Sequence, residues 1–148
     1  MHFHRSSVTA FATFATVMLL GHLAASGQVA AFDAVAVRQT VSKDSAGYVL
    51  STFAGAADRF GPFSGTARIK CKGHHCQGVA ILDFGSGDTI EFFTEVRFDT
   101  HYQLGEGTYV ITGGTGRFAG VSGRGYFAVD ERLGHDQAHL IWQGTIDP

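Results

Sequence analysis

The chain has 148 residues and carries 11 Lys and Arg against 13 Asp and Glu, a formal charge of −2. This slightly acidic balance argues against nucleic acid as a partner, because such partners require clustered basic residues. The length allows one domain with a real core and excludes a catalytic domain joined to a second lobe.

The first segment has the pattern of a secretory signal peptide. A weakly basic head ending at Arg5 precedes an apolar run without charge from Val8 to Ala25. Small residues suit cleavage after residue 27 or as late as residue 31. We therefore predict a signal peptide over 1–27 and a mature domain over 32–148 that is secreted or periplasmic and leaves the membrane after cleavage. An uncleaved anchor is the alternative, because the run is just long enough to span a bilayer.

The remaining chain reads as β-structure, since β-branched and aromatic residues alternate with glycine turns. Residues that are typical of turns, such as Gly, Asp and Ser, lie between the predicted strands at 43–47, 85–88, 105–107 and 133–136. Short connections predict a meander, and closure into a barrel removes both sheet edges. We predict an all-β fold, an eight-stranded antiparallel meander closed into a barrel. The predicted strands are 34–41, 48–54, 63–71, 77–84, 89–98, 108–112, 120–130 and 138–146.

The two cysteines frame a short hairpin tip, Cys71-Lys-Gly-His-His-Cys76. In an oxidising compartment, two cysteines at the base of a four-residue tip indicate a disulfide. The rival interpretation is a metal site that uses the cysteines with His74 or His75, but metal sites seldom take every ligand from one tight tip. We therefore predict a Cys71–Cys76 disulfide, with no metal and no cofactor.

The stretch from Gly113 to Gly125 reads GGTGRFAGVSGRG and satisfies a dinucleotide-binding pattern. Such a loop needs a following helix to hold the pyrophosphate, whereas the residues after it are broken by glycines and resemble a strand. We predict a structural role, in which glycines 113, 114 and 116 permit positive φ in a tight reversal and glycines 120, 123 and 125 let the returning strand kink sharply. Phe118 would plug one barrel end, with Arg117 in solvent.

The string Gly113-Gly114-Thr115-Gly116-Arg117-Phe118, preceded by Gly87-Asp-Thr-Ile90, resembles the signature of the allene oxide cyclase and dirigent barrel superfamily, especially its small secreted bacterial members. The resemblance covers about residues 48–146. It implies an eight-stranded antiparallel barrel, often trimeric, whose lumen binds a small apolar or phenolic molecule. In plant members it also implies that the lumen steers cyclisation or radical coupling of that molecule without a cofactor.

The resemblance directs attention to the seventh strand. Plant dirigent proteins follow the motif with Ala-Arg-Gly-Tyr, and the arginine faces the cavity. Without gaps this arginine falls on Ser122, while a two-residue shift matches it to Arg124, followed by Gly125 and Tyr126. Ser122, Arg124 and Tyr126 are therefore the candidate ligand-binding residues.

Alternation gives each strand two faces, and the residue types on those faces indicate which one points into the lumen. In the seventh strand, either Arg124 and Tyr126 or Phe127 and Val129 face the lumen. In the fifth strand, the face with Ile90, Phe92, Thr94, Val96 and Phe98 is almost continuously apolar, so it is predicted to face inward. The fourth strand is apolar on both faces over 79–82, which hints at a homo-oligomer, either a dimer or a trimer.

Three functions remain. The first is a secreted barrel that binds one small apolar or aromatic molecule in its lumen. The second is a cofactor-free cyclase or isomerase, in which the same lumen would hold one or two polar groups that stabilise developing charge. The third is a surface or interaction protein without a ligand. An acid, base or arginine that faces the lumen would indicate the cyclase or isomerase rather than the binding barrel. A lumen packed solid with phenylalanine would indicate the ligand-free protein.

Overall fold

The computed structural model describes residues 28–134 and 137–148. Its eight strands are β1 (Ala30–Lys43), β2 (Val49–Ala57), β3 (Gly61–Lys72), β4 (His75–Asp83), β5 (Thr89–Asp99), β6 (Leu104–Thr115), β7 (Ser122–Asp130) and β8 (His139–Asp147). Each strand pairs with the next, and β8 pairs with β1, which closes the barrel. The predicted all-β antiparallel barrel is confirmed. The signal peptide and its cleavage position lie outside the described residues.

One predicted turn is wrong. Residues 105–107 lie inside β6, and the chain reverses instead over residues 100–103. There the carboxylate of Asp99 accepts hydrogen bonds from the backbone N–H groups of His101 and Tyr102, at 2.8 and 3.2 Å. An Asx-type turn therefore makes the reversal, and the glycines of β6 have another purpose.

That purpose is close approach between neighbouring strands. The side chain of an alanine at Gly107 would collide with the backbone carbonyl of Glu95 on β5. Inward glycines with the same property lie in three further strand pairs, β1–β2, β3–β4 and β7–β8. Such close backbone contacts indicate that the wall bends sharply at these pairs. These glycines are Gly55, Gly78, Gly123, Gly125 and Gly144. The barrel therefore has sharp corners at which only glycine fits.

The core is the aromatic filling of the lumen. Trp142 is fully buried near the middle of the barrel, and its ring lies 5.0 to 6.2 Å from those of Phe53, Phe63, Phe92 and Phe127. The inward face of β5 is the apolar one that the sequence predicted, with Ile90, Phe92, Thr94 and Val96 buried. Among the described residues no helix has the length and apolarity needed to cross a membrane.

Candidate functional site

The lumen is packed at one end and hollow at the other. At the hollow end a cavity of about 290 Å³ opens beside the β3–β4 hairpin. Its lining is mainly apolar, with Trp142 and Phe53 among its deeper residues. The lining residues are Arg38, Val49, Ser51, Phe53, Ala67, Ile69, Cys71, Gly73, Cys76, Ala80, Thr94, Val96, Phe98, Thr100, Phe127, Val129, Glu131, Leu140 and Trp142.

A row of small side chains produces the hollow. Ser51, Ala67 and Ala80 occupy directly opposed positions on β2, β3 and β4, and all three face the cavity. The neighbouring row, toward the closed end, is Phe53, Gly65 and Leu82, and the Phe53 ring fills the space above Gly65. A change from large to small inward residues over one row therefore separates the packed half from the empty half.

Two charged side chains lie in this largely apolar wall. Arg38 continues the inward alternation of β1, and Glu131 follows the last residue of β7 at the open end. Nη1 of Arg38 donates to Oε1 of Glu131 at 2.6 Å, and the two side chains are only 9% and 14% exposed. The sequence reasoning missed both residues. Counting alternate positions from Phe32 would have placed Arg38 inside.

Further polar groups among the described lining residues are three hydroxyls and the indole N–H of Trp142, which is buried and has no hydrogen-bond partner within the described ranges. Ser51, Thr94 and Thr100 line the cavity, and the Thr94 hydroxyl donates to the carbonyl of Gly78 at 3.4 Å. The site can therefore enclose an apolar molecule and offer hydrogen bonds at a few points, which is the usual character of a small-molecule pocket.

The candidate residues of β7 lie elsewhere. Ser122, Arg124 and Tyr126 are exposed on the outer face of the barrel. The Tyr126 hydroxyl donates to Glu106 at 2.9 Å, and partial burial together with this carboxylate raises the pKa of Tyr126. Phe127 and Val129 occupy the lumen instead, because the alternation places them on the inward face. A role for the three candidates inside the lumen therefore does not fit the structure.

The Gly113–Phe118 string lies at the packed end, far from the cavity wall. Gly116 has φ of +61° in a single 3₁₀ turn, and the backbone N–H of Arg117 donates to Asp88 at 3.0 Å. The Arg117 guanidinium is not simply in solvent, because it pairs with Asp88 at 3.2 Å and donates to the carbonyl of Phe60 at 2.9 Å. These contacts hold the turn across the barrel end.

Two of the three glycines expected to permit positive φ do not adopt it. Gly113 and Gly114 both have negative or extended backbone angles, and of the three only Gly116 has positive φ. Gly114 is required for a different reason, since a side chain there would collide with the backbone carbonyl of Phe118, whereas Gly113 faces open space. In the returning segment Gly120 and Gly123 do take positive φ, while Gly125 has close contact with β8.

The predicted disulfide is confirmed. Cys71 and Cys76 are bonded across the β3–β4 hairpin and line the cavity mouth. Within 28–134 and 137–148, no group of three or more His, Cys, Asp or Glu residues is placed to hold a metal ion.

Loss of the disulfide is expected to have a moderate effect. A Cys71→Ala/Cys76→Ala double variant should lower the free energy of unfolding by about 2 kcal/mol, because the ring that the bond closes is short. Urea unfolding of the variant, compared with wild type in the presence and absence of reductant, measures this. Thiols that label in denatured wild type without reductant would contradict the bond.

Tyr109 is a buried polar side chain in the packed half. Its ring lies edge-on to Phe92, with centroids 5.2 Å apart, and its hydroxyl fills the space beside Gly144. That hydroxyl has no hydrogen-bond partner among the described residues. Burial raises the pKa of Tyr109 to about 12, and the negative charge of Asp33 adds to the effect.

This burial predicts an alkaline loss of stability. The folded protein keeps a proton that the unfolded chain releases above about pH 10, so the stabilisation is complete below that pH and is lost as the pH rises toward 12. The loss should be on the order of 2 kcal/mol. Urea unfolding at several alkaline pH values measures it, and Tyr109→Phe should remove it at little cost near neutral pH. An equal alkaline loss in both proteins would contradict this role.

Comparisons of the chain with protein-family models, with curated proteins and with solved structures find no match. The resemblance to the allene oxide cyclase and dirigent superfamily therefore stays a prediction.

Proposed function

We propose that the protein binds one small apolar or aromatic molecule in the open half of its barrel. The observation that carries this proposal is the cavity of about 290 Å³, enclosed by aromatic and aliphatic side chains on the inward faces of β2, β3, β4, β5, β7 and β8. An apolar cavity of about 150 Å³ holds one benzene molecule. A molecule of about two fused rings, or a short branched chain, is therefore the size that this lumen accommodates.

The cyclase or isomerase remains a second candidate, because an acid and an arginine face the lumen. The Arg38 guanidinium could stabilise negative charge that develops on a substrate oxygen, and the Glu131 carboxylate could accept a proton. These two groups meet the criterion for an enzyme, but they contact each other at 2.6 Å, so a substrate would have to share or displace that pairing before either could act on it. Binding therefore ranks first and catalysis second. The ligand-free interaction protein has less support, since the part of the chain that the structure describes leaves half of the lumen unfilled.

The disulfide is consistent with an oxidising compartment, and we propose a secreted or periplasmic location on that basis together with the signal pattern. Val79 and Ile81 point outward from β4 and are each 37% exposed, which supports the proposed homo-oligomer.

Binding can be tested with 2-naphthol as the probe and isothermal titration calorimetry as the readout. The dissociation constant expected for a probe of this size is on the order of 0.1 mM. Ala67→Phe places a ring in the cavity and should abolish binding without lowering the melting temperature. Ser64→Phe adds the same ring on the outer face of β3, where residue 64 is exposed, and should bind as wild type does. Equal binding by wild type and Ala67→Phe would contradict the proposed site.

A further inference from the structure

Among the described residues, the cavity carries charged side chains on one side only. Its deeper wall consists of Phe53, Ala67, Ala80 and Trp142 around the Thr94 hydroxyl, whereas its only charged lining residues in the described ranges, Arg38 and Glu131, lie toward the open end. A ligand that fills this space would place its apolar body against the aromatic wall. Its polar group would then come close to the ion pair, because no other charged residue within 28–134 and 137–148 lines the cavity.

The ion pair favours a particular polar group. A carboxylate that approaches Arg38 also approaches Glu131, whose Oε1 is 2.6 Å from the guanidinium, and two carboxylates that share one guanidinium repel each other. Low exposure strengthens this repulsion, since little water screens it. An ammonium group meets the same obstacle from Arg38.

A neutral group that both donates and accepts has no such penalty. A guanidinium has five N–H donors and a carboxylate accepts several hydrogen bonds, so each can serve a ligand while the pair stays intact. A hydroxyl, phenol or amide would accept from Arg38 and donate to Glu131. Charge-assisted hydrogen bonds of this kind are stronger than neutral ones.

We propose that the Arg38–Glu131 pair makes the lumen selective for neutral amphiphiles, which carry a hydroxyl, phenol or amide group on an apolar body, over carboxylates and amines of the same shape. This inference rests on the proposed binding function and assigns the two residues as its specificity determinants.

The test uses three probes with one ring system, namely 2-naphthol, 2-naphthoate and 2-naphthylmethylammonium, titrated into the disulfide-bonded protein at neutral pH. Wild type should bind 2-naphthol at least tenfold more tightly than either ion. Glu131→Gln keeps the shape of the side chain and leaves Arg38 charged. This variant should therefore bind 2-naphthoate at least tenfold more tightly than wild type does. Glu95→Gln is the matched control, because Glu95 is exposed on the outer face of β5, and it should leave all three affinities unchanged.

A second variant keeps the test decisive if Glu131→Gln does not fold. Arg38→Gln leaves Glu131 charged, so this variant should bind 2-naphthylmethylammonium at least tenfold more tightly than wild type does. If a folded variant shows no gain for its ion, or if wild type binds the three probes equally, the selectivity is overturned while the binding site stands. If wild type binds none of the probes, the proposed binding function itself fails, and the inference with it.

Discussion

Gly107→Ala is expected to destabilise the protein by about 4 kcal/mol or more, although it adds a single methyl group. The added carbon would collide with the backbone carbonyl of Glu95 at the corner between β5 and β6. A backbone atom cannot swing aside as a side chain can, so either the two strands separate or the pairing shifts. Differential scanning calorimetry should show a melting temperature lower by roughly 15 °C, or no folded protein.

The matched control lies on the same strand. Gly113 faces open space and does not take positive φ, so Gly113→Ala should change the free energy of unfolding by less than about 1 kcal/mol. Equal stability of the two variants would show that the wall does not fold sharply at Gly107, which would contradict the cornered barrel.

Phe118→Ala is expected to lower the free energy of unfolding by about 3 to 5 kcal/mol. The Phe118 side chain is buried at the packed end, with ring centroids 5.1 Å from Phe84 and 5.6 Å from Phe60. Its removal would leave a cavity there and expose the neighbouring rings to water. Phe118→Leu, which keeps much of the apolar volume, should lose less. Urea unfolding of the three proteins gives the comparison.

The same variant distinguishes a ligand at the open end of the barrel from a ligand at the packed end. Phe118 does not line the 290 Å³ cavity, so the affinity of Phe118→Ala for 2-naphthol should match that of wild type at temperatures where both are folded. A fall in stability with unchanged binding is the expected pair of results. Loss of binding in a folded Phe118→Ala protein would place the ligand at the packed end and contradict the proposed site.

Much of the fold follows from local sequence patterns. Alternation of apolar residues and turn residues at regular spacing predicts eight strands, and the need to avoid open edges predicts their closure. The disulfide follows from two cysteines beside a short tip. The error at residues 105–107 has a physical origin, because glycine serves a tight turn and a close strand contact equally well. A single sequence does not reveal which of the two a glycine provides.

The candidate site is harder to predict. Alternation alone puts Arg38 on the inward face of β1, but its partner Glu131 is 93 positions away and meets it only after the barrel closes. The hollow depends on register, since Ser51, Ala67 and Ala80 form a row only when β2, β3 and β4 pair as they do. Such long-range coincidences are invisible in the order of residues. The choice of Ser122, Arg124 and Tyr126 relied on an arginine position in other proteins rather than on the inward pattern of Phe127 and Val129.

Pairing between the first and last strands has a consequence for how the molecule folds. Ala30 lies opposite Ile146 and Val37 opposite His139, so β1 lacks one of its two neighbours until nearly the whole chain is present. Hairpins such as β3–β4 can form early from local contacts, but the final seam must wait for residues more than a hundred positions apart to meet. During that interval both strands expose unpaired backbone groups, to which another chain could add. Kinetic competition between seam closure and association should therefore make refolding yield fall as protein concentration rises.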